Sequence, residues 1–320
     1  MKAIGHHEFG GPEVLQVIEL PDPEPRVGEI RVRVYAAAVS PTDTLRRAGV
    51  RALDGQPATE LADQDFPLVP GMEFAGVVVE IGPDTDADVK VGDHVMGAMV
   101  PSGTRGSYAE QVVVPADSVV RTPAGVDDVA ASTLPMNGLT ALISIDALQV
   151  APGQTIGVTG AAGTYGGYVV QLAKAAGLRV IADAAEKDRD LVASFGADVV
   201  VARGDDVADR FLEAAPGGLD GLVDGAVLNE LVVGAVRPGG RLVTVRHYES
   251  EPIGGVTFHA VRVRYFVHDR AKLEQLRELV DSGQLTLRVA QTFPAADASE
   301  AHEVLARGGT RGRLVLTFDD

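Results

Sequence analysis

The spacing of apolar positions divides this chain into two textures. Up to about residue 120 they fall in short β-branched runs. IRVRVYAAAV (30–39) opens with apolar–polar alternation, and GVVVEIG (76–82) and EQVVVPAD (110–117) are brief runs bounded by Gly or Pro. GGPE, PDPEP, VGD and PSG mark frequent turns between them. The pattern predicts a compact, irregular β domain over 1–120.

From about 121 helical and strand periods alternate. The stretch 126–148 is helical in period and interrupted at Pro135. TIGVT (155–159), RVIAD (179–183), ADVVVA (197–202), LDGLVDG (219–225) and RLVTV (241–245) read as strands. Helices are expected between them over 166–176, 187–196, 205–215 and 228–236. This alternation predicts an α/β fold with a doubly wound parallel sheet over 121–268. In VRVRYFVH (261–268), Val261 and Val263 alternate with Arg262 and Arg264, as in an exposed edge strand. The amphipathic helix RAKLEQLRELVDSG (270–283) and the strand RGRLVLTFD (311–319) follow. The tail, from about 269 to 320, is expected to complete the first domain.

Gly160 to Gly167, GAAGTYGG, lies between the first of these strands and a helix. Backbone N–H groups at a helix N-terminus bind phosphate, and glycines let a pyrophosphate approach. The usual spacing is G-x-G-x-x-G; here Ala162 precedes Gly163-x-x-Gly166. At the end of the next strand, Asp183 is a candidate ribose-binding acid, which would favour NAD. Alternatively the ribose faces Ala184, and Lys187 or Arg203 meets a 2′-phosphate. Asp183 and Ala184 point to opposite faces of a strand, so one residue of register separates the two readings.

Composition narrows the function. A chain of 320 residues favours two domains. A formal charge of −17 opposes binding to nucleic acid. There is no cysteine, which removes disulfides, thiolate nucleophiles and Cys-ligated zinc. No apolar run approaches a membrane span, and no secretory signal is read, so a cytoplasmic location is expected. No pair or triad among the seven histidines has metal-ligand spacing, and each is expected at the surface or in a loop, with His6 and His7 possible neighbours of a cleft.

VRVYAAAVSPTDTLRRAG (32–49), PLVPGMEFAGVVVEIG (67–82), VGDHVMG (91–97), GSYAEQVVVPAD (106–117), AASTLPMNGLTAL (130–142), the glycine-loop segment (153–177), RPGGRLVTV (237–245) and AHEVLARGGTRGRLVL (301–316) occur in order. Together they resemble the zinc-independent medium-chain dehydrogenase/reductases of quinone oxidoreductase type. The resemblance implies a GroES-like β domain and a Rossmann domain. It also implies hydride transfer from NADPH, in preference to NADH, to a quinone or enone.

Further expectations follow from that likeness. Zinc-dependent relatives use Cys, His and Cys where this chain has Ser40, Met72 and Met136, so no metal is expected. Ser40 and Asp43 are the candidate catalytic residues, with a purely structural carboxylate the alternative for Asp43. A family tyrosine two residues after Asp43 is Leu45 here. Thr140, Gly160, Ala161, Ala162, Gly163, Thr164, Tyr165, Gly166, Ala184, Lys187 and Arg203 are expected at the cofactor. Thr164 and Tyr165 replace a glycine and a valine of the family loop; Tyr165 either shapes the pocket or packs against the helix. A family tyrosine near Ala202 is missing, and Arg203 could compensate. A homodimer through a strand over 261–267 is expected. Two other functions stay open: a tailoring enoyl reductase with a bulky acceptor, its pocket shaped by the insertion 49–69, and a non-catalytic NADPH binder.

Overall fold

A computed structural model describes residues 1–50 and 65–318, so most of the 49–69 insertion lies outside the described residues. In chain order these form β1 (Lys2–Gly5), β2 (Gln16–Glu19), β3 (Glu29–Ala38), α1 (Pro41–Arg47), β4 (Glu73–Ile81), β5 (His94–Ala98), β6 (Gln111–Pro115), β7 (Val119–Arg121), α2 (Asp128–Ala131) and α3 (Pro135–Leu148). Then come β8 (Thr155–Thr159), α4 (Thr164–Ala175), β9 (Arg179–Ala184), α5 (Arg189–Ser194), β10 (Val199–Ala202), α6 (Val207–Ala214), β11 (Leu219–Asp224), β12 (Val236–Thr244) and β13 (Thr257–Ala260). The chain closes with α7 (Arg270–Asp281), β14 (Val289–Pro294), α8 (Ala298–Arg307) and β15 (Arg313–Thr317). No helix among the described residues is long and apolar enough to cross a membrane.

The first compact unit comprises residues 1–139, 264–283 and 287–320. Its larger sheet has the order β14-β15-β3-β4-β5-β7, with β6 also on β3. β3 explains the arrangement. Ile30, Val32 and Val34 alternate inward and pack into one cluster with Phe74, Tyr108 and Leu316. β15 pairs antiparallel with β3, Val315 opposite Ala38, so the closing strand belongs to the same sheet as this early one.

The second unit comprises 140–263 and 284–286. Its six strands are all parallel, in the order β10-β9-β8-β11-β12-β13. Counted from β8 this is 3-2-1-4-5-6, the doubly wound order, whose switch point lies between β8 and β11. Residues 180–184 of β9 are all buried, as expected for a strand covered on both faces. The interruption expected at Pro135 is present: α2 ends at Ala131, and Pro135 begins α3, where its missing N–H costs nothing.

Two expected elements differ. The helix expected over 228–236 is a 3₁₀ turn, Asn229–Ala235. The connection between β11 and β12 is short, and Asn229 enters it at φ 54° with its N–H held by Asp224 Oδ2 at 2.6 Å. The strand expected over 261–267 is absent. The sheet edge is β13, upstream, and the chain leaves it through a 3₁₀ turn, Val263–Tyr265. The apolar alternation fails there because Val267 is buried while Tyr265 is 68% exposed. A dimer contact through a 261–267 strand therefore has no strand to use.

Candidate functional site

In the second unit the turn after β8 is built by close packing. Gly160 has φ 68°, and a Cβ there would lie 2.9 Å from the Gly225 carbonyl carbon. A Cβ on Gly166 would lie 2.4 Å from the Gly160 oxygen, so only glycine lets α4 start this near the turn. Gly163 is the N-cap of α4 and supplies no side-chain cap. The amides of Thr164, Tyr165 and Gly166 donate to no group among the described residues. An uncapped first turn with three open N–H groups is a site for an anion.

The ends of the neighbouring strands face this turn with carboxylates. Asp183 Oδ1 accepts from Gly160 N at 2.7 Å and more distantly from Ala161 N at 3.4 Å. Burial raises the Asp183 pKa, and the two amides and Arg203 oppose that shift. Asp224 Oδ1 accepts from Thr159 Oγ1 (2.5 Å) and Ala226 N (3.2 Å). Ala184 is buried, and its carbonyl accepts from Arg203 N at 2.9 Å; Lys187 and Arg203 are exposed. Register thus puts Asp183, not Ala184, against the glycine turn.

Tyr165 is held within the protein. Ser144 Oγ donates to the Thr140 carbonyl at 2.6 Å, so it must accept from Tyr165 Oη, 2.7 Å away. The ring lies over Gly225, where a Cβ would meet Cδ1 at 3.2 Å. Burial keeps the phenol protonated. Tyr165 is thus engaged by Ser144 and Gly225, and Ser144 also reaches the Thr140 carbonyl.

The first unit gathers a second polar group around α1. Ser40 and Asp43 form a reciprocal capping box: Ser40 Oγ accepts from Thr42 N (3.3 Å) and Asp43 Oδ2 from Ser40 N (2.8 Å). Asp43 has no exposed surface and also accepts from Gly71 N (3.1 Å) and Tyr108 Oη (3.3 Å). Every hydrogen bond of Asp43 among the described residues goes to a backbone amide or to the Tyr108 hydroxyl. A guanidinium only donates, so Arg47 Nη1 gives its proton to His302 Nδ1 at 3.0 Å. His302 Nε2–H then points to Tyr108 Oη (3.2 Å), whose own proton goes to Asp43. Burial, then Arg47, lowers the His302 pKa to about 3. A buried ion pair, Glu73–Arg313, lies in the same unit, and Glu73 Oε2 also accepts from Met136 N at 2.8 Å.

His6 and His302, expected at the surface or in loops, are 2% and 0% exposed. Sequence spacing held a signal for His302, since Ala298, Ala301 and His302 share one helical face. Asp43 and Arg47 likewise share a face of α1 at i, i+4. Tyr108, Glu73, Arg313 and Asp224 were not marked by any local motif.

Residues 26–124 match the alcohol dehydrogenase GroES-like domain family, and residues 195–316 match the zinc-binding dehydrogenase family. The quinone oxidoreductase of Pseudomonas aeruginosa is 29% identical, over 98% of this chain and 99% of that protein. The chain belongs to the medium-chain dehydrogenase/reductases, quinone oxidoreductase type. Another member of the superfamily, the chloroplastic NADPH-dependent alkenal/one oxidoreductase of Arabidopsis thaliana, is 27% identical over 99% of this chain and 79% of its own length. A solved NAD-dependent alcohol dehydrogenase superposes with a TM-score of 0.86 at 28% identity, covering both chains fully. Relatives of this quinone oxidoreductase-type chain are thus named for different donors and different chemistry. The chain is an oxidoreductase by this kinship.

Proposed function

We propose that the chain is a metal-free reductase that passes hydride from a reduced nicotinamide dinucleotide to a quinone or an α,β-unsaturated carbonyl. The observation that carries this is the open first turn of α4, with unused amides at Thr164, Tyr165 and Gly166 beside the switch point of the parallel sheet. A pyrophosphate fits such a turn in charge and donor pattern. Gly160, Ala161, Ala162 and Gly163 would carry it past the backbone, with Thr140 and Ala184 flanking. When bound, the dinucleotide supplies the hydride.

The chain's own residues supply position. Ser40 Oγ accepts from an amide, which leaves its proton for the acceptor's carbonyl oxygen. Asp43 is a positioning residue: fully enclosed, it grips Ser40 N and leaves the substrate contact to the serine. A hydroxyl at Ser40 with thioethers at Met72 and Met136 is a poor donor set for zinc, which is why the step is drawn without a metal. Lys187 and Arg203 are the exposed cations that NADPH would call on, and Asp183 carries the opposite charge at the strand end itself. Pairing of two copies is proposed through the open edge of β13; a single-chain mass by light scattering at micromolar concentration would remove that pairing.

The test is dinucleotide oxidation with a simple quinone and a simple enone, using protein stripped with a chelator and assayed for metal. Turnover that survives stripping is expected. Turnover lost on stripping and restored by zinc would contradict the metal-free step, and no turnover with either acceptor would contradict the reductase reading.

A further inference from the structure

We propose that Asp183 selects an unphosphorylated adenosine ribose, so that this chain prefers NADH over NADPH. The inference rests on the dinucleotide reading above and reverses the donor expected from Lys187 and Arg203.

The position is the first reason. Asp183 lies near the C-terminal end of β9, the second strand of the fold, about twenty residues beyond the glycine turn, where a ribose-binding acid is placed in doubly wound sheets. Its side chain is on the turn side, as the bond to Gly160 N shows. Oδ1 is held by turn amides, which fixes the plane of the carboxylate. Oδ2 accepts no hydrogen bond among the described residues. A ribose 2′-hydroxyl has a proton to give to such an oxygen. A 2′-phosphate has negative charge and acceptor oxygens, so it meets Asp183 with neither a donor nor an opposite charge.

The balance of charges is the second reason. Asp183 is 3% exposed, so its field is little screened. Asp224, at the end of β11, adds negative charge that Asp183 feels, though less than it feels the opposite charge of Arg203. The cations that would favour a phosphate, Lys187 and Arg203, are both exposed to water. At close range a buried carboxylate repels a 2′-phosphate, and an exposed cation offsets that only in part.

The experiment is calorimetric titration with NADH and with NADPH, without acceptor, on the full chain and on Asp183→Asn. Asparagine keeps an oxygen for the Gly160 and Ala161 amides and removes the charge. The expected result is NADH binding at least about tenfold tighter to the natural chain, with that ratio falling at least about tenfold in Asp183→Asn. Equal or tighter NADPH binding to the natural chain overturns the proposal, as does a variant that weakens both donors alike. If the variant does not fold, ADP-ribose against its 2′-phosphate on the natural chain decides, the unphosphorylated ligand again binding tighter. NADH-selective binding without any turnover would leave this inference standing and remove the reductase reading. Absence of binding by either donor would remove both.

Discussion

Asp43 and Asp183 are both buried carboxylates that grip backbone amides, but their second oxygens differ. Asp43 uses Oδ1 on Gly71 N and Oδ2 on Ser40 N and Tyr108 Oη. Asp183 uses Oδ1 on the glycine turn, and its Oδ2 accepts no hydrogen bond among the described residues. A buried acid with both oxygens engaged by the protein holds a loop in place. One left half answered, beside a helix terminus whose first three amides are open among the described residues, is what the proposed ligand site would use. The same contrast holds between their neighbourhoods. The polar cluster of the first unit is closed on itself through Arg47, His302, Tyr108 and Asp43, whereas the turn of the second unit has donors to spare.

The contrast is sharpest for stability at Glu73–Arg313. Arg313→Leu leaves Glu73, with no exposed surface, without its counter-ion. A loss of about 3–5 kcal/mol in urea unfolding is expected; a loss under about 1 kcal/mol would mean that the pair is not enclosed. In the second unit the largest effect is on binding. Gly166→Ala drives a Cβ toward the Gly160 oxygen and displaces the turn. Dinucleotide affinity is expected to fall on the order of 10²-fold, and unchanged calorimetric affinity would break the assignment of the turn.

The His302 pair with Arg47 predicts an acid response. The folded-state pKa is lowered to about 3 against 6.5 for a free imidazole. Below 6.5 the unfolded chain takes up a proton that the folded chain refuses. The stabilisation from neutral His302 is therefore complete above about 6.5 and is lost as pH falls from there toward 3. At 1.36 kcal/mol per unit this is on the order of a few kcal/mol. His302→Leu should flatten that part of the pH dependence of unfolding; an unchanged slope would show that His302 titrates normally.

Asp43→Asn places an amide where backbone donors point, and about 1–3 kcal/mol of stability is expected to go, with dinucleotide affinity unchanged. A loss of affinity as large as that of Gly166→Ala would contradict the contrast. The smallest effect is Tyr165→Phe, which gives up only the bond to Ser144. About 1 kcal/mol in thermal unfolding is expected, without change in binding.

The period of the apolar positions made the parallel sheet, the glycine turn and its place after the first strand legible. Strand alternation also reduced the donor question to Asp183 against Ala184, but register is a tertiary property and only the pairing of β9 with β8 and β10 decides it. The 261–267 stretch shows why pattern alone misleads at an edge. Its alternation suits a strand, yet Val267 is needed in the core and the chain turns out of the sheet to bury it. The closed cluster of the first unit was the least legible part. Tyr108 and His302 meet across 194 residues of sequence, and such a contact leaves no local spacing to read.

The most direct measurement is amide hydrogen exchange with and without added NADH. Protection should rise at Thr164, Tyr165 and Gly166, whose amides have no acceptor among the described residues, and stay constant at Ser40 and Gly71, whose amides already serve Asp43. No gain at 164–166 on saturation with the dinucleotide would contradict the account.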